Sequence, residues 1–236
     1  TRKDAPRIAD PRGMEIAWHK LNDEHLSQLL QDTRKAVRDR ARMLFSKQEV
    51  KAILPLVTIL EESDDAAHRL QAVWALSHIH HPAARIATQV ALNDNDSTVV
   101  QAALHVISVH KDKYAVQKVL PKLHSDNVHN RRVAAEALGR IGDDKVIPAL
   151  LAALGSANNR HLEHSLIYAC IEIQGIDRIR QFTQHEIAAV RRGALIALDQ
   201  IPSDEPLLAP GDISPLFTAS DSSLRDVAWW ILSHHP

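Results

Sequence analysis

The stretch VRDRARMLF, beginning at Val37, sets a pattern of apolar and polar positions that returns six more times. Its counterparts are HRLQAVWAL at His68, VVQAALHVI at Val99, NRRVAAEAL at Asn130, HLEHSLIYA at His161, VRRGALIAL at Val190 and LRDVAWWIL at Leu224. Steps of 31 residues separate the first five copies, and steps of 29 and 34 follow. With the first residue of each copy as position 0, the recurring positions 0, +4, +7, +8 and +11 form one helical stripe. Position +4 holds Ala41, Ala72, Ala103, Ala134, Ser165, Ala194 and Ala228. A small residue there lets a neighbouring helix approach closely.

Upstream of the stripes lie further apolar segments, among them VKAILPLVTIL (50–60), PAARIATQVAL (82–92), YAVQKVLPKL (114–123) and KVIPALLAAL (145–154). Short polar joints with Asp32, Asp65, Asp96, Asp126, Asn159 and Asp221 separate the two kinds of segment. Such residues are expected to cap the helix that follows. Pro55, Pro121 and Pro148 are expected early in the first helix of each pair, where a missing N–H matters least. A helical pair of this length cannot bury its own apolar face, but a stack of pairs can. The pattern therefore predicts an all-α chain: an α-solenoid, a right-handed superhelix of about seven helical hairpins. Residues 1–22 are expected to be an extended lead-in and 23–236 the repeat domain. The second helices should start near 37, 68, 99, 130, 161, 190 and 224.

Composition narrows the function. The chain of 236 residues is 45% hydrophobic and 24% charged, with seven glycines and 4% aromatics, which suits packed helices rather than a β-sandwich. A formal net charge of −1 gives no electrostatic reason to expect nucleic-acid binding. The single Cys170 excludes an internal disulfide and a multi-cysteine metal site. No run of 18 or more apolar residues predicts a membrane span.

Residues NRRVAAEALGRIGDDKVIPALLAALG (130–155) closely resemble HEAT-like repeats of the phycobilisome-lyase type, and the likeness extends over roughly residues 24–235. That resemblance implies a protein-interaction scaffold with no catalytic residues and no cofactor. The segments DPRGMEIAW (10–18), LLQDTRKAVRDRA (29–41), RLQAVWAL (69–76) and RDVAWWILSHHP (225–236) resemble, more narrowly, the HEAT region of planctomycete-type modular proteins. In those proteins the repeats lie between a propeller-like sugar-dehydrogenase domain and a cytochrome c domain. This resemblance implies an internal, extracytoplasmic docking module of a larger redox protein. The chain has no C-x-x-C-H for covalent haem. A lyase-type chaperone for a tetrapyrrole or haem is the alternative from another class. A helical-repeat DNA glycosylase is disfavoured because Trp18, Trp74, Trp229 and Trp230 do not point to one base-stacking groove. A HEAT-like di-iron hydroxylase would need His-Glu pairs at +2/+3, and no copy carries one.

Three sets of residues are candidates for chemistry or recognition. Position +6 carries Met43, Trp74, His105, Glu136, Ile167, Ile196 and Trp230. Apart from Glu136 these residues form a semi-apolar stripe, expected on the concave side and suited to a partner domain or peptide. Position +1 carries Arg38, Arg69, Arg131, Arg191 and Arg225, expected to pair with joint aspartates as a structural ladder. Finally, His78, His80 and His81 crowd the turn after the second copy, with His110 one unit on, a geometry conceivable for a shared metal site. The expected partner is another protein, with the isolated chain a monomer.

Overall fold

The computed structural model describes residues 8–234, which contain helices, turns and loops and no strand. The chain divides into two compact units between Val106 and Ile107. The first holds α1 (Asp23–Leu29), α2 (Lys35–Lys47), α3 (Ile53–Glu62), α4 (Ala66–Ser77), α5 (Pro82–Thr88) and most of α6 (Ser97–His110). The second continues through α7 (Val116–Val119), α8 (Val128–Ile141), α9 (Ile147–Ala153), α10 (Arg160–Ile173), α11 (Ile176–Arg180), α12 (Ala188–Gln200), α13 (Pro210–Ile213) and α14 (Ser222–His234). Helices α2, α4, α6, α8, α10, α12 and α14 carry the repeated stripe, and each is preceded by a shorter helical segment.

Every long helix but one begins two residues before its position 0. The exception, α10, begins one residue before His161. There His161 is exposed whereas Leu162 is buried. Taking Leu162 as position 0 restores the common start. It also matches the buried set of α10 to that of α12: Leu162, Ser165, Leu166, Ile167, Ala169 and Cys170 stand where Val190, Gly193, Ala194, Leu195, Ala197 and Leu198 stand. The shift arises because the short helical run 144–156 is one residue longer than its predecessor, 113–124. Position +4 is thus a fully buried alanine in six helices and Leu166, not Ser165, in α10.

The short helices are fragmented. Tight 3₁₀ turns flank them at Glu49–Ala52, Gln89–Asn93, Lys113–Ala115, Leu120–His124, Asp144–Val146 and Leu154–Ser156. Pro148 is the second residue of α9 and Pro55 the third of α3, as a proline near a helix start requires. Pro121 differs from the expectation, for it is the second residue of the closing 3₁₀ turn and does not lie early in the helix. Lacking an N–H, it cannot continue the α-helical ladder, so α7 stops after four residues.

Caps come largely from the joints. Asp65 accepts the backbone N–H of Ala67, Asp96 that of Thr98, Asn159 that of Leu162 and Asp221 that of Ser223. In front of α8 the cap is Asn127, not Asp126, and it accepts from His129 and Asn130. Asp32 lies too far ahead of α2 to cap it and instead grips Arg34 through the backbone N–H and the guanidinium. At the far end of α8, Gly142 takes the left-handed conformation (φ 76°) that closes many helices at glycine.

The described part of the lead-in is a chain of turns, not an extended segment. Asp10 accepts the N–H groups of Met14 and Glu15, and Trp18 Nε1 donates to the Gly13 carbonyl. Arg40 lies over the Trp18 ring, 4.5 Å from its centroid, and Arg34 donates to the Asp10 carbonyl, so this segment is tied to α2. Residues 1–7 of the expected lead-in, and His235 and Pro236 of the repeat domain, lie outside the described residues.

Candidate functional site

Position +6 marks the outward face of the long helices. In the first unit Met43 and His105 are exposed and Trp74 is half-buried. Trp74 and His105, from successive long helices, meet edge to face with ring centroids 5.9 Å apart. In the second unit Trp230 is exposed, and Glu136 and Ile196 are half-buried. Ile167, expected on this face, is only 6% exposed, because the one-residue shift of α10 turns it inward. Its place goes to Tyr168, which is 48% exposed and stacks on His164 with centroids 6.1 Å apart. Tyr168 is hidden in the sequence because the 31-residue step gives way to one of 32 between α8 and α10. The exposed, polar His161 at a supposed core position was the available signal.

The arginines of position +1 form a ladder, but most of their partners are backbone carbonyls. Arg38 donates to the carbonyls of Asp32 and Thr33, Arg191 to that of Thr183, and Arg225 to those of Ala219 and Ser220. Arg131 reaches back to the Leu123 carbonyl and forward to the carbonyl and hydroxyl of Ser156. Of the five, Arg69 alone makes the expected pair with a joint aspartate, binding both oxygens of Asp94 at 2.6 and 2.8 Å. Carbonyls at and just beyond the ends of short helices have no partner within the helix, and the guanidinium satisfies them. In α10 the same position is Glu163, whose carboxylate accepts from Arg192 of the next long helix.

The histidine-rich turn is structural at two of its residues. His78 closes α4, its Nδ1 2.7 Å from the Trp74 carbonyl, which makes that nitrogen the proton-bearing one. His81 caps α5 by accepting the Ala83 N–H at Nδ1, which requires the other tautomer. His80 is exposed, and His110 ends α6 in the second unit. Among the described residues no group of three or more His, Cys, Asp or Glu is placed to hold a metal ion.

His68 is held at both ring nitrogens, and it is buried. Its Nε2 donates to the Ser27 carbonyl at 3.0 Å, while Nδ1 accepts from Gln31 Nε2 at 2.6 Å and lies 3.1 Å from Ser63 Oγ. A hollow of about 450 Å³ opens beside it, between α1 and α3. Burial holds the imidazole pKa below its ordinary value, only partly offset by the Ser27 hydrogen bond and the charge of Asp65. The unfolded chain therefore binds the proton more readily than the folded one. The contribution of His68 to stability is complete above about pH 6.5 and falls as the pH drops below it. Substitution His68→Val, which copies Val37 and Val99, should shrink the loss of thermal stability between pH 7.5 and 5. Paired melting curves check this, and equal losses in both proteins would refute it.

A family model described as HEAT repeats matches residues 23–108 and 85–171, together more than half of the chain. Among solved structures, the complex of CpcE and CpcF of phycocyanin lyase from Nostoc sp. PCC7120 aligns with a TM-score of 0.52 at 20% identity. That alignment covers 98% of this chain and 93% of that one. The Escherichia coli protein YibA aligns with a TM-score of 0.52 at 17% identity, over 97% of this chain and 98% of its own. No curated protein matches the sequence. At such identities the structural likeness concerns the fold alone. No helix among the described residues is long and apolar enough to cross a membrane.

Proposed function

The chain belongs to the family of HEAT repeats, and from that premise we propose that it is a non-catalytic scaffold that docks partner proteins on its long helices. The observation that carries this reading is the outward +6 face. It presents Met43, Trp74 and His105 in the first unit and Tyr168, Ile196 and Trp230 in the second. Aromatic side chains standing half in solvent are the residue types that dominate binding energy at protein interfaces. The finer reading is an internal docking module of an extracytoplasmic redox protein, supported by the resemblance of residues 10–18 and 225–236 to such modules.

The test compares Trp74→Ala and Tyr168→Ala with the unchanged protein in co-precipitation from the native host. Melting curves are recorded for each. Loss of a shared partner by about tenfold or more, with Tm changed little, is the expected result for an interface anchor. Lower Tm with an unchanged set of partners would reduce the face to packing.

A tetrapyrrole chaperone is the second reading, favoured by the two imidazole–aromatic pairs, Trp74 with His105 and His164 with Tyr168. Titration with haem separates it from the first. A saturable shift in visible absorbance that His105→Ala or His164→Ala removes supports the chaperone, and an unchanged spectrum ends it.

A further inference from the structure

The connection leading into the last hairpin is unlike its counterparts. Two residues, Lys111 and Asp112, separate α6 from the helical turn that follows, and two, Gln174 and Gly175, separate α10 from α11. Between α12 and α13 the chain spends residues 201–209. The excess is held in place: Arg180 Nη2 donates to the Leu207 carbonyl at 2.8 Å, and Asp212 accepts the Ala209 N–H at 2.8 Å. Under this loop lies a cavity of about 270 Å³. Leu198, Ile201, Leu208, Ile213 and Ile231, all buried, make its apolar floor. Asp199, Asp204 and Glu205 stand among its described lining residues, none of which is a lysine or arginine. At its edge Leu232 is 41% exposed, although position +8 is at most 2% exposed in the six earlier long helices, with Cys170 standing for α10.

The insertion thus builds an apolar recess with exposed carboxylates at its rim, and its size limits what enters. Pockets for drug-sized ligands span roughly 300–1,000 Å³. This recess is smaller, which suits one or two side chains of a peptide better than a cofactor. The exposed carboxylates of Asp204 and Glu205 above an apolar floor select a segment with an aliphatic side chain flanked by cations. We propose that the pocket beneath loop 201–209 docks a short linear segment of a partner protein, with an aliphatic side chain on the floor and lysine or arginine on both sides of it. Asp204 and Glu205, both exposed, face those cations, while Leu232 extends the apolar contact. This site uses the loop and the end of α14, not the +6 face, so it stands apart from the scaffold reading.

Fluorescence anisotropy tests it with a labelled nine-residue peptide carrying one central leucine, two flanking lysines or arginines on each side and otherwise glycine and serine. Saturable binding is expected, weakening as salt rises because the rim pairs are exposed. Changing the peptide's leucine to serine, or its cations to glutamate, is expected to weaken binding by about tenfold or more. Asp204→Lys combined with Glu205→Lys should do the same, with the circular dichroism melt unchanged. Binding without saturation overturns the proposal, as does equal affinity for the serine peptide, which would show attraction of charge alone. Should the double variant fold poorly, the peptide series on the unaltered protein still decides.

Discussion

Replacing Gly139 by leucine is expected to cost the second unit about 3 kcal/mol or more, at the upper end of what overpacking a core does. The reason is the closeness of α8 to α10. A Cβ added at Gly139 would stand 2.8 Å from Ala169 Cα and 3.0 Å from Ala169 Cβ. Backbone atoms in the middle of a packed helix have nowhere to go. Alanine at the same place gains roughly 1 kcal/mol of helix propensity, yet meets the same backbone, so a net loss is expected there too. Gly193 makes the contrast, because the nearest atom to its added Cβ is the tip of the Leu154 side chain, which can rotate away. Urea or thermal unfolding of the three variants should rank Gly139→Leu as the most damaging, Gly139→Ala next and Gly193→Ala mildest. A Gly193→Ala protein less stable than Gly139→Ala would contradict the argument.

Arg69→Ala is the second large effect, about 3 kcal/mol in the first unit. Its guanidinium grips Asp94 at two points and also donates to the Ser63 carbonyl at 2.7 Å. The two side chains are only 11% and 5% exposed. Removing one partner of such a pair leaves a desolvated charge behind, which costs more than the pair contributed when intact. A double-mutant cycle with Asp94→Ala should therefore show strong coupling, with the double variant more stable than the sum of single losses implies. The exposed pair Arg178–Asp144 should show at most about 1 kcal/mol in the same experiment. Acid reports on the same contact. Burial alone raises the Asp94 pKa, but the bonds from Arg69 and from the Asp96 N–H outweigh it and bring the value below the ordinary one. That contribution is present above about pH 4 and is lost as the pH falls through the folded-state value, so Arg69→Ala should flatten the acid limb of the stability curve.

Where the long helices lie was written in the sequence, because a 3.6-residue period survives seven copies and alanine at +4 anchors it. Phase was less secure. HLEHSLIYA offers Ser165 four residues after His161, small enough to pass for the recurring alanine, while the true position belongs to Leu166. One residue of slip rotates a helix by about 100°, which is why Ile167 was expected outside and Tyr168 was missed. The arginine ladder was legible as a recurrence but not as chemistry. A carbonyl carries no residue signature, so nothing in the sequence distinguishes an arginine that meets an aspartate from one that meets the end of a short helix. The partners of His68 were out of reach for a related reason. Ser27 and Gln31 come from a different hairpin, and only packing brings them together.

The ladder also bears on how such a chain can grow. Arg131 bonds backward to Leu123, eight residues before it, and forward to Ser156, 25 residues after it and one 31-residue step beyond Ser125. A tandem copy of residues 125–155 therefore sets a serine 25 residues after Arg131 and a leucine carbonyl eight residues before the copied arginine. Both arginines keep a serine and a leucine carbonyl as acceptors at that junction. A gene built this way can lengthen at this unit with fewer compensating changes than most insertions into a packed domain demand.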